Sequence, residues 1–151
     1  MHSNEDLPAL AVELIAAGSH FTRAAYQASG MELSNVSMRA LAALEREPGL
    51  RIGELAAREG IRQPSMSQAM KRLVNDGYAA RHTADDDARA TALTITDAGR
   101  EVLRSYRAAA AEAVAPVFEP LKPEDVATLK RAAELLPELT AELKQRKGGR
   151  E

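Results

Sequence analysis

The chain has 151 residues, 45% of them apolar, which fits one domain or a small domain with an extension. Two Phe, three Tyr and no Trp make any core aliphatic and Ala-rich, and such a core often needs a partner chain to complete it. The absence of cysteine excludes disulfides, thiolate zinc sites and cysteine redox sensing. The net charge of −2 is neutral on nucleic-acid binding, which depends on local distribution instead. No apolar run approaches the roughly 20 residues of a membrane span. The opening Met-His-Ser-Asn-Glu-Asp is polar and acidic, unlike a secretory signal, so a cytoplasmic protein is expected.

From Asp6 to about Ala28, the residues Leu7, Leu10, Leu14, Ile15, Phe21 and Ala25 recur near helical spacing, with Gly18-Ser19 a candidate bend and Gly30 a stop. Ser34 reads as the N-cap of a second helix that runs to about Glu45, with Val36, Ala40, Leu41 and Leu44 on one side. Pro48-Gly49 separates it from a short third helix, Ile52 to Glu59, for which Gly60 supplies the positive-φ terminus. Gln63-Pro64 opens a fourth, because Pro suits the first helical position, where its missing N–H has no partner to lose. Met66, Met70, Leu73 and Val74 follow i, i+4, i+7, i+8 and predict an inward face. Ser65, Ser67, Gln68, Lys71, Arg72 and Asn75 are left on the other side, and Asp76-Gly77 ends the helix.

Tyr78 to Thr83 and Thr91 to Thr96 read as strands around a charged loop, Ala84 to Ala90. Thr96 caps a long Ala-rich helix through Leu103, Tyr106 and Ala110 to about Val117, closed by Pro116 and Pro120. Pro123 starts a last helix carrying Leu129, Leu136, Leu139 and Leu143, with Pro137 expected to kink it. Its basic end, Lys144 to Arg150, reads as a frayed tail.

The fold class expected is therefore mainly α with a small β wing. A winged helix-turn-helix part, 33–96, is followed and preceded by helical parts at 97–146 and 6–30, with a basic tail at 147–151. A wing and a turn of this kind put one helix into a DNA groove. Ser65, Ser67 and Gln68 occupy the first turns, where a recognition helix meets base edges, and Gln suits an adenine edge. Lys71 and Arg72 reach bases or phosphates, with Arg62, Gln63 and Pro64 at the helix start. Arg51 and Arg58 lie on the rim as backbone contacts or as ordinary solvated charge. Arg89 in the loop is the candidate for a narrow minor groove. Taken alone, the polar face is what any surface helix shows; the turn, the wing and the Pro–Gly punctuation shift the reading to DNA. From Arg51 to Thr91 there are seven basic and six acidic residues, so a basic footprint must come from sidedness.

Three segments resemble the MarR family of bacterial transcription regulators: Pro48-Gly49-Leu50 through Glu54-Leu55-Ala56, Gln63-Pro64-Ser65-Met66-Ser67 through Leu73 to Tyr78, and Asp87-Ala88-Arg89 with Leu93 through Gly99. The order of the flanking helices extends the likeness to nearly the whole chain, as one MarR-like unit, 1–151. Arg51 stands where a helix-capping Ser or Thr is usual, and the wing carries three consecutive aspartates. The resemblance implies a two-fold homodimer built from the terminal helices, and a wing in which Asp87 holds Arg89. It also implies a pocket for a small aromatic or lipophilic effector, bordered by His20, Phe21, Arg23, Tyr26, Met38, Arg39 and Tyr106, although each of these residues also fits plain core or surface charge.

The function expected is thus a sequence-specific regulator of transcription that binds double-stranded DNA as a homodimer on a pseudo-palindrome and represses until a ligand relieves it. The alternative is a winged-helix protein-interaction module without DNA binding, favoured by the acidic wing. No phosphate loop, nucleophile–base pair or metal cluster points to an enzyme or a cofactor, and the three histidines are too scattered for a metal.

Overall fold

A computed structural model describes residues 6–84 and 87–148, with side chains described except at 84, 87–90, 147 and 148. The elements in chain order are α1 (Asp6–Ala28), α2 (Asn35–Arg46), α3 (Ile52–Glu59), α4 (Gln63–Asn75), β1 (Ala79–Ala84), β2 (Asp87–Ile95), α5 (Asp97–Phe118) and α6 (Pro123–Gly148).

Local chemistry sets most boundaries. The Ser34 hydroxyl accepts the Ser37 N–H at 3.1 Å and starts α2. Gly60 terminates α3 at φ +61, a conformation that costs an L side chain a clash, and its N–H bonds back to the Ala57 carbonyl. Pro64 stands at the start of α4, which leaves through Asp76 into Gly77 at φ +79. The Thr96 hydroxyl receives the Gly99 N–H at 3.1 Å and donates to the Gly77 carbonyl at 2.6 Å. One side chain thereby starts α5 and ties it to the exit of α4.

The chain divides into two compact units, 1–112 and 113–151. The core of the first is built from α2, α3, α4, the hairpin and the start of α5. Leu41, Leu44, Leu55, Met66, Met70 and Leu73 are its largest fully buried side chains, and Leu93, Leu103 and Tyr106 join them. Met66, Met70 and Leu73 confirm the inward face of α4, while Val74 is half-buried. The hairpin is a two-stranded antiparallel sheet with Arg81 opposite Leu93 and His82 opposite Ala92. Leu50 adds a one-residue bridge to Leu93, so the turn before α3 is stitched to the wing.

Several expectations are corrected. The first strand keeps its expected length but is shifted by one residue to end at Ala84, and the second is longer, opening at Asp87, so Asp87 to Ala90 is strand and not loop. Ladder bonds come from the backbone, so a charged stretch without apolar side chains still extends a hairpin. Between the pairs His82–Ala92 and Ala84–Asp87 the register shifts, with extra residues on β2. Asp85 and Asp86 lie outside the described residues. No break appears at Gly18-Ser19, because α1 runs continuously and a single helical glycine costs only about 1 kcal/mol. The basic end is helical as far as Gly148, and Pro137 lies inside α6 as the sequence places it.

Helix α1 buries little within the first unit. No residue of α1 is buried, and Leu7, Leu10, Val12, Leu14 and Ile15 are exposed on it. In the second unit Leu129, Leu136, Leu139 and Leu143 of α6 are exposed as well. No described helix is long and apolar enough to cross a membrane.

Candidate nucleic-acid interface

The outer face of α4 carries the residues that the sequence assigned to it. Arg62, Gln63, Pro64, Ser65, Gln68, Lys71, Arg72 and Asn75 are exposed. Ser67 differs, being half-buried on the flank turned to the hairpin, where with Lys71 one turn on it lines a cleft. That cleft encloses about 420 Å³ and is completed by Arg51, Ile52, Arg81, Thr91 and Leu93. Arg62 holds the N-cap position of α4 without a side-chain cap bond, leaving its guanidinium to the surface.

Ion pairing supplies the sidedness that the charge count lacks. Glu59, with its side chain only 14% exposed, receives Arg39 Nε at 3.2 Å and Arg46 Nη2 at 3.3 Å. Arg39 also donates to the Glu59 carbonyl. Arg58 pairs with Glu47, and Arg107 Nη1 with Glu45 at 3.0 Å. The acidic groups around α2 and the end of α3 are thus matched by arginines. Arg51, Arg62, Lys71, Arg72 and Arg81 have no carboxylate within ion-pair distance among the described residues. All five lie on the start of α3, on α4 or on β1. Local potential, not net charge, steers a polyanion.

Arg58 is therefore a structural ion pair at the rim. His82 Nε2 meets Thr94 Oγ1 at 2.8 Å across the hairpin. Arg89 and Asp87 stand on the outer part of β2, where side-chain positions are not described.

The residues grouped around an effector divide. Tyr26 and Tyr106 stack with ring centroids 4.5 Å apart and 27° between planes, and Met38 belongs to the same apolar cluster. Burial, and the neighbouring Tyr26, raise the Tyr106 pKa above its usual 10.0. Arg39 is engaged by Glu59, while His20, Phe21 and Arg23 are exposed on α1. Among the described residues no group of three or more His, Asp or Glu is placed to hold a metal ion.

What sequence reasoning missed is long-range. The Glu59 clamp joins residues 13 and 20 positions apart, and no local spacing announces it. Arg81 was read only as strand, yet it brings a cation to the cleft.

Two helices crossing at a Gly-containing turn, a polar outer face on the second, and a β-hairpin after it define a winged helix-turn-helix protein. The particular family follows from comparison: residues 29–90 match the model described as the MarR family. An uncharacterised HTH-type transcriptional regulator of Mycobacterium leprae is 31% identical over 114 residues, covering 76% of this chain and 78% of that protein. One of Mycobacterium bovis matches to the same extent. Among solved structures, a MarR-family transcriptional regulator from Silicibacter pomeroyi is 26% identical with a TM-score of 0.57, over 91% of this chain and 96% of its own. MarR from Escherichia coli in its apo form is 16% identical with a TM-score of 0.69, covering 84% and 96%, a likeness of fold. The chain belongs to the MarR family of transcriptional regulators, which are DNA-binding proteins and not enzymes.

Proposed function

We propose that the chain binds a pseudo-palindromic operator as a homodimer and represses transcription until a small aromatic or lipophilic ligand relieves it. The observation that carries this reading is the division of α4: Met66, Met70 and Leu73 are fully buried while Ser65, Gln68, Lys71 and Arg72 stand free on the opposite side. A helix anchored so firmly by one face presents the other as a rigid reading edge. Gln68 hydrogen-bonds an adenine edge, Ser65 and Ser67 adapt to neighbouring bases, and Arg62, Lys71 and Arg72 neutralise phosphates. Arg89, on the hairpin and oriented by Asp87, enters the adjacent minor groove.

The second copy is supported by the uncovered leucines of α1 and α6, taken helix by helix. A two-fold pair sets its recognition helices about one helical turn of DNA apart, ~34–36 Å. A ligand seated against the Tyr26–Tyr106 stack and Met38 acts by favouring a dimer with another spacing.

The test is fluorescence anisotropy with DNA from upstream of the encoding gene, on purified wild type and two variants. Gln68→Ala should lose about 1–3 kcal/mol of discrimination at one base position. Arg89→Ala should weaken binding across sequences. Wild-type affinity that does not fall as salt rises would instead identify a protein-interaction module, because phosphate contacts release counterions.

A further inference from the structure

The cleft between α4 and the hairpin draws one cation from each of three elements: Arg51 from the start of α3, Lys71 from α4 and Arg81 from β1. Ser67 and Thr91 supply hydroxyls at its wall, and Leu93 its apolar floor. The lining holds three positive side chains and no carboxylate, and an anion in the cleft would offset their like charge. The volume of about 420 Å³ far exceeds the roughly 30 Å³ of one water. It has room for a solvated phosphodiester.

Arg51 carries the argument further, because it occupies the N-cap of α3 and forgoes the cap. No side-chain cap bond forms there, since a guanidinium has donors only. The Glu54 carboxylate accepts the Arg51 backbone N–H at 2.8 Å, which is half of a capping box. Ser, Thr, Asn or Asp at this position stabilises a helix; Arg does not. The position thus holds a residue that is poor for the helix and lines the cleft.

We propose that Arg51, Lys71 and Arg81 form a seat for one backbone phosphate of a DNA strand passing between the recognition helix and the wing, and that Arg51 is kept there at the expense of α3 stability. This rests on the DNA-binding reading above and names a phosphate contact within it. The seat fixes register and contributes affinity without reading sequence.

The test uses the full-length protein, a 30-base-pair mixed-sequence duplex and the upstream DNA, with Arg51→Ser, Lys71→Gln and Arg81→Gln. Each should weaken binding to both duplexes about tenfold and reduce the steepness of log K against log salt by about 1. Arg51→Ser should also raise Tm by about 2–4 °C, through the new cap. A residue with only a structural role would not raise stability while lowering affinity.

If wild type binds neither duplex, the DNA reading and the seat fall together. Salt-dependent wild-type binding that Arg51→Ser and Arg81→Gln leave unchanged overturns the seat alone. So does a loss confined to one sequence, which would make these residues base readers. Titration with inorganic phosphate separates the remaining source. If phosphate raises the Tm of wild type but not of Arg81→Gln, while DNA affinity is the same for both, the cleft is a free-anion site and the proposal is wrong.

Discussion

Gly99→Ala should destabilise the protein, against the ordinary rule for helices. Gly99 is in the first turn of α5, and Ala in place of Gly inside a helix usually stabilises by up to about 1 kcal/mol. Here a Cβ would lie 2.0 Å from the Tyr78 carbonyl oxygen and 2.8 Å from Ile95 Cγ1. Real Cβ contacts essentially never fall below 3.0 Å, so the backbone must give by about 1 Å. That carbonyl accepts the Thr96 N–H at 3.1 Å, and the turn it belongs to is held by the Thr96 hydroxyl. Overpacking of this kind costs about 1–3 kcal/mol, and a weakened hydrogen bond about 0.5–1.5 kcal/mol. Less the propensity gain, the net is a loss of about 1–3 kcal/mol, or roughly 3–10 °C in Tm. Urea and thermal unfolding followed by circular dichroism measure it. Gly53→Ala is the control, since a Cβ there meets only Gln63 Oε1 at 3.8 Å, and it should be neutral or stabilising. A Gly99→Ala protein as stable as wild type, or a Gly53→Ala loss of the same size, would refute the reasoning.

Two further outcomes are expected. The folded state holds the Tyr106 proton more tightly than the unfolded chain does, so the associated stability is complete below pH 10.0 and declines as pH rises through the raised folded value. Thermal scans from pH 8 upward should therefore show a steeper alkaline fall in wild type than in Tyr106→Phe; parallel curves would remove the assignment. Glu59→Ala should cost about 1 kcal/mol in urea unfolding, because it leaves two arginines of α2 without their carboxylate at the end of α3. An unchanged midpoint would show the clamp to be incidental.

The middle of the chain was legible because its signals are local. Ser34, Gly60, Pro64 and Gly77 each act on the turn in which they lie, and the spacing of Met66, Met70 and Leu73 needs no partner to be read as a buried face. The hairpin was misjudged because a missing apolar anchor at Asp87 to Ala90 looks like a loop, whereas ladder pairing is indifferent to side chains. The resemblance groups Arg39 with the aromatics of a pocket, yet its partner Glu59 lies 20 residues away on another helix. Gly99 read as part of a motif, and the reason for a glycine there is the Tyr78 carbonyl, which only the fold brings close.

The charge balance shows why a count misleads. Seven basic and six acidic residues from Arg51 to Thr91 suggest no footprint. Exposed ion pairs such as Arg58–Glu47 contribute little to stability, each about 0–1 kcal/mol. Their effect on the field is larger than their effect on the fold. With Glu45, Glu47 and Glu59 matched by Arg107, Arg58, Arg39 and Arg46, the helix-turn-helix and hairpin keep five cations without an ion pair among the described residues, Arg51, Arg62, Lys71, Arg72 and Arg81, against the carboxylates of Glu54 and Asp76. A duplex approaching the outer face of α4 meets Arg62, Lys71 and Arg72, which have no carboxylate within ion-pair distance among the described residues. Over a Debye length of about 8 Å in physiological salt, that local difference outweighs the net charge of −2. A near-neutral regulator can in this way favour one docking face without a basic sequence, and the weak energy of each pair is no measure of its part in recognition.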